Sequence, residues 1–140
     1  MPIKKIFFLL IFSFSIFAQN KMLIQMDLSQ TDHLKAYGIT FHALEQGLKA
    51  DWLLNYRGGS FLLDYSRPIE NECRIEGVSF TTLTTSEATS IYALVQSNDQ
   101  NMDVVRLEKA PKIGVYVPPG FQPWDDAVTL VLEYAKIPYD

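Results

Sequence analysis

Cysteine is nearly missing from this chain: Cys73 is the only one in 140 residues. A single thiol cannot build a disulfide framework or a cysteine-based zinc site. Basic residues are also few, with 12 Lys and Arg against 16 Asp and Glu, a net charge of −4. A nucleic-acid binder needs the opposite balance to meet phosphates, so nucleic acid is excluded as a partner. The two histidines, His33 and His42, fall on one predicted helix and turn to opposite faces of it, which denies them a shared metal. Neither a phosphate-binding P-loop nor a dinucleotide fingerprint is present, and no repeat is visible. No metal and no cofactor are expected. What the chain does have is apolar substance: 48% of its residues are hydrophobic and only 20% charged, which excludes disorder.

No apolar run reaches the roughly 20 residues of a membrane-spanning helix. The longest, Ile6 to Phe17, is broken only by Ser13 and Ser15; Lys4 and Lys5 precede it and Ala18 follows. A basic head, a short apolar stretch and a small residue make the three-part pattern of a secretory signal. Residues 1–18 are therefore expected to be a signal peptide, with a mature start near Gln19. Ile16 stands where a small residue is usual. The protein is expected to be exported to the periplasm or cell envelope, with no membrane span after cleavage. Losing Lys4 and Lys5 makes the mature chain more acidic, which keeps it soluble and away from anionic surfaces. Export also takes it away from ATP and NAD.

Strands are predicted near 22–26, 50–55, 78–83 and 112–117, from apolar runs such as Met22-Leu-Ile-Gln-Met26 and Trp52-Leu53-Leu54. Helices are predicted between them. Ser29 to Asp32 has capping-box spacing before a helix over about 30–46, with Leu34, Tyr37, Phe41, Leu44 and Leu48 as its apolar stripe. Gly47 suits its C-terminus, and Gly38 in mid-helix implies close packing of that face. Ser66 with Pro68 opens a second helix ending at Gly77, and Thr84 to Glu87 is another capping box. A last helix runs from about Pro123 to Lys136, and Ile137–Asp140 opens a further strand. Phe61-Leu62-Leu63 reads as a short extended piece. Strands alternating with helices predict an α/β fold with a parallel sheet of alternating β-α units, Rossmann-like or flavodoxin-like.

In such a fold ligands bind at the carboxyl ends of strands. That rule points to the loops Asp27–Gln30, Asn55–Ser60 and Pro118–Asp125. Arg57-Gly58-Gly59-Ser60 is the strongest local feature: two glycines let a backbone approach an anion, Arg57 can fork onto a carboxylate or phosphate, and Ser60 can donate. With Asp27 and Ser29 these form the candidate ligand-binding set for a small molecule. His33 lies near Asp27 and Asp32 and either faces that cleft or is solvated. Cys73 reads as a buried, inert thiol. Asp125 and Asp126 suit a helix first turn better than a carboxylate pair, and Trp124 is either a stacking platform or a core lid. No catalytic residue is assigned.

Two stretches carry a resemblance: "MDLSQTDHLKAYGITFHALEQGLKADWLLNYRGGSFLLDYS" and "NMDVVRLEKAPKIGVYVPPGFQPWDDAVTLVLEYAKIPYD". Together they make nearly all of residues 21–140 resemble an exported family of Bacteroidetes-type bacteria, to which the name asparagine synthetase B is often attached. The resemblance implies that the chain is the front part of a longer protein. It implies an α/β domain over 19–110, and over 111–140 the incomplete first βα unit of a second domain, similar to class I glutamine amidotransferases. The synthetase reaction itself is not implied. That enzyme exposes a cysteine as its first mature residue, where this chain has Pro2, and its ATP loop is echoed here only by Gly58-Gly59. The expected function is thus an exported ligand-binding or non-catalytic front part of a larger envelope protein. The alternative is a fragment of an amidotransferase-like or hydrolase enzyme.

Overall fold

Strand β1 (Lys21–Ile24) leads through helix α1 (His33–Glu45) to β2 (Ala50–Leu54) in the computed structural model, which describes residues 20–97, 101–116, 118–120 and 127–140. A tight turn then reverses the chain into β3 (Phe61–Asp64), followed by α2 (Arg67–Glu76), β4 (Thr81–Leu83), α3 (Thr85–Val95), β5 (Asp103–Leu107) and α4 (Ala127–Tyr134). The expected signal peptide, together with Trp124, Asp125 and Asp126, lies outside the described residues.

The strands form one five-stranded sheet in the order β4-β1-β3-β2-β5, and every neighbouring pair is antiparallel. This overturns the expected parallel Rossmann-like or flavodoxin-like sheet. The reason is local. Asn55, Arg57, Gly58 and Gly59 all take positive φ (60°, 46°, 79° and 89°), and this turn sends Phe61–Asp64 straight back. That segment is a full strand. It inserts between β1 and β2, with Leu62 opposite Leu23 on one side and Asp51 on the other. β1 and β2 do run in the same direction through a helical crossover, but β3 splits them. The first six elements make the split βαβ, or ferredoxin-like, arrangement, and β5 extends it beside β2.

The apolar runs that suggested parallel strands have another cause: both faces of this antiparallel sheet are covered. Met22, Ile24, Ala50, Phe61 and Leu63 pack under α1 and α2 against Ile39, Ala43, Ile69 and Cys73. Leu23, Leu53 and Leu62 face the other way and pack with Ala88 and Val95 of α3. Strands buried on both faces read as continuous apolar runs whatever their direction.

The caps are those that the backbone requires. Thr84 and Glu87 close a complete capping box at the start of α3. At α1 the cap is Asp32, whose side chain accepts from Lys35 N, whereas Ser29, expected in that role, bonds Asp27 instead. Beyond α1, Leu48 N bonds Ala43 O and Gly47 N bonds Leu44 O, a Schellman closure with Gly47 at φ 82°. Residues 112–116 form no assigned strand, yet Asp140 N donates to Ile113 O and Val115 N donates to Asp140 O. That alternation is the hydrogen-bond pattern of a parallel pair. Among the described residues no helix is long and apolar enough to cross a membrane.

Candidate functional site

Because β1 and β2 run the same way, their carboxyl ends lie at one end of the sheet. There the β1–α1 loop meets the β2–β3 turn. Arg57 Nε donates to Asp27 Oδ2 at 2.6 Å, and Arg57 Nη2 donates to Ser29 Oγ at 3.0 Å. Ser29 in turn gives its backbone N–H (3.0 Å) and its hydroxyl (2.5 Å) to Asp27 Oδ1. The Arg57 hydrogen bond, then those from Ser29, hold the Asp27 carboxyl down at about 2. Asp27 is therefore ionised at neutral pH, and it neutralises Arg57.

The other three residues of the predicted set lie beneath this trio as its support. Met26 N and Ser60 Oγ both donate to the Arg57 carbonyl. A Cβ on Gly58 would stand 2.2 Å from Met26 O, so that glycine serves the close approach of turn to loop. The Gly59 carbonyl accepts from Trp52 Nε1 at 3.0 Å, and Ser60 is fully buried. The glycine pair thus approaches protein backbone and a Trp side chain. The third predicted loop, Pro118–Asp125, falls largely outside the described residues.

On the other side of the β1–α1 loop, a glutamine ties down the connection from α2 to β4. Gln30 Nε2 donates to Gln25 O (2.7 Å) and Ser79 O (3.0 Å), while its Oε1 accepts from Ser79 N (2.8 Å) and Thr31 N (3.0 Å). Thr31 Oγ1 donates to Gly77 O. His33 Nε2 lies 3.2 Å from Met26 O and 3.1 Å from Asp27 O. Both are acceptors, so Nε2 carries the hydrogen, and His33 holds the loop from behind.

Between this mesh and the open edge of β4 runs a groove of about 800 Å³, lined by Gln25, Arg74, Ser79, Phe80, Thr81 and Thr82 among others. It is open along much of its length. Gln25 is 8% exposed, and its Oε1 is buried with no hydrogen-bond partner. Sequence reasoning placed Gln25 and Ser79 inside strands and Gln30 at the end of a candidate loop, without bringing the three together. The available signal was Gln25 itself, a polar residue inside the apolar run Met22–Met26.

The chemically active side chains are committed to the scaffold, including Cys73, which lies along the groove. Cys73 is fully buried, and burial first, with Glu72 adding to it, pushes its thiol up to about 12, so it holds its proton at neutral pH. His42 is engaged at both ring nitrogens, by Glu72 and by the Lys136 carbonyl. Among the described residues, no three His, Cys, Asp or Glu side chains gather as a metal would require. No family model matches the chain, and neither a curated protein nor a solved structure does.

Proposed function

We propose that this chain is an exported, non-catalytic domain that binds a small, neutral, polar ligand where the β1–α1 loop, the β2–β3 turn and the α2–β4 loop converge. The observation that carries this reading is Gln25 Oε1, buried without a partner in a residue that forms the groove wall. An unsatisfied buried carbonyl costs about 1–3 kcal/mol. A small turn of the Gln25 side chain that brings Oε1 to a ligand N–H or O–H in the groove removes that penalty. Charge selects a neutral ligand: an anion drawn to Arg57 would also meet the ionised Asp27 carboxylate 2.6 Å from Arg57 Nε. Hydroxyl and amide groups suit the hydroxyls of Ser79, Thr81 and Thr82 along the groove, beside the Asp27, Ser29 and Arg57 trio.

In this reading the chain is also the front part of a larger envelope protein, with residues 111–140 as the first βα unit of a second, amidotransferase-like domain. The hydrogen bonds from Asp140 N to Ile113 O and from Val115 N to Asp140 O, across the intervening α4, support that unit. The non-catalytic half is supported by Cys73, His33 and His42, each held by burial or by acceptors.

Titration of the ¹⁵N-labelled chain with N-acetylglucosamine, which offers hydroxyls and an amide N–H, tests the ligand reading against inorganic phosphate. The expected result is shifts at the Ser29, Arg57 and Ser79 amides with the sugar, absent with phosphate and lost in Gln25→Leu. Shifts with phosphate alone, shifts with neither, or sugar shifts unchanged in Gln25→Leu would overturn it.

A further inference from the structure

The imidazole of His42 touches two acceptors and no donor. Nδ1 lies 2.5 Å from Glu72 Oε1 on α2, and Nε2 lies 2.7 Å from the backbone carbonyl of Lys136, just past α4. A neutral imidazole has one N–H and can satisfy one of these partners; the other ring nitrogen then turns a lone pair toward an oxygen lone pair. Only the imidazolium donates to both.

We propose that His42 is a proton-operated latch: charged, it ties α1 and α2 to the segment 135–140, and neutral, it lets go of Lys136. This inference does not depend on the ligand reading. The charged groups around the ring all bear on it. Burial disfavours the charged imidazole, but Glu72 on α2, the Lys136 carbonyl and Glu45 on α1 together outweigh burial and raise its pKa above the ordinary histidine value. Nearby, Glu76 on α2 takes both Lys136 Nζ at 2.5 Å and Lys35 Nζ at 3.1 Å, and Tyr134 donates to Asp32. Those contacts are more exposed on their basic or phenolic side, so the His42 bridge is the part of the junction that a proton controls.

Release has somewhere to act. Ile137 sits with Tyr37, Phe41, Leu44, Phe61 and Leu107 at the margin of the core, and Asp140 pairs with residues 113 and 115. Opening the latch uncovers that margin while leaving the sheet intact.

The test is amide hydrogen exchange of the full chain from about pH 5 to above 8, corrected for base catalysis. The Ile137 amide, bonded to Leu132 O, and the Asp140 amide, bonded to Ile113 O, report the latch; Leu53, bonded to Ser60 O, reports the sheet. Protection at Ile137 and Asp140 is expected to fall about tenfold across the titration, the loss of one charge-assisted bond, with Leu53 unchanged. Glu72→Gln gives the sharper result. Its amide N–H can donate to a neutral Nδ1, freeing Nε2–H for Lys136, so the segment stays protected at every pH. In His42→Leu, which has no donor for the Lys136 carbonyl, the segment is open at every pH. Protection independent of pH in the unaltered chain, or a Glu72→Gln variant that opens it, would overturn the latch.

Discussion

Gly38 of α1 and Ala135 at the end of α4 meet backbone to backbone, so closely that a Cβ on Gly38 would stand 1.9 Å from the Ala135 carbonyl oxygen. A glycine in mid-helix costs about 1 kcal/mol relative to alanine, and here that cost is offset by what its bare Cα admits. Gly38→Ala gains the helix propensity but drives a methyl into a carbonyl that no side-chain rotation can move. Overpacking of this kind costs about 1–3 kcal/mol. The variant is expected to be less stable by about 1–2 kcal/mol in urea unfolding, with Ile137 losing amide protection. A more stable Gly38→Ala variant would show that α4 does not dock there.

The Asp27–Arg57 pair predicts an acid-side signature. The folded carboxyl sits at about 2, below its ordinary 3.8. A depressed carboxylate contributes stability that is present above the unfolded value and is lost as pH falls through the folded one. The contribution is thus whole above about pH 4 and disappears toward pH 2. The pair is solvent-exposed, so the effect on global stability is small, and the local titration is the better measurement. A ¹³C titration of the Asp27 carboxyl is expected to show a midpoint near 2, returning toward 3.8 in Arg57→Gln.

Two glycines separate backbone conformation from packing. Gly47 and Gly58 both have positive φ, 82° and 79°. A Cβ on Gly47 meets open space, whereas one on Gly58 would lie 2.2 Å from Met26 O. Gly47→Ala is expected to lose about 1–2 kcal/mol, the left-handed penalty alone. Gly58→Ala adds overpacking of about 1–3 kcal/mol and pushes the turn off the β1–α1 loop. Equal losses in thermal unfolding would mean that the turn yields and the loop contact is not tight.

These positions also show what the sequence could and could not carry. The locations of β1, β2, α2 and α3 were legible because those two strands are buried on both faces and those helices open on recognisable caps. Strand order was not. It turns on four left-handed residues between β2 and β3, and one of them, Arg57, carries a side chain that does not announce that conformation. Reading Phe61–Asp64 as a fragment removed the strand that splits the βαβ unit. The convergence of Asp27 with Arg57 was legible for a reason that survives the change of fold: β1 and β2 still point the same way, so their ends are neighbours. The unpartnered oxygen of Gln25 was not legible, since an apolar run absorbs one polar residue without comment.

Gln25 gives the prediction that bears most directly on function. Its side chain is held in the fold at 8% exposure, and its amide oxygen meets no donor. Replacing it with leucine keeps the approximate volume and removes an unsatisfied carbonyl, so Gln25→Leu is expected to raise stability by about 1–3 kcal/mol in urea unfolding. The backbone carbonyl of residue 25 still accepts from Gln30 Nε2, so the loop mesh is untouched by the change. A residue that destabilises the free protein but completes a bound one should show opposite signs in the two measurements: higher stability without ligand, weaker response to N-acetylglucosamine with it. Stability–function opposition of this kind is how binding sites commonly betray themselves. A Gln25→Leu variant that is less stable than the original chain would show that Oε1 is satisfied by a buried water, and the groove would lose the feature that marks it as a site.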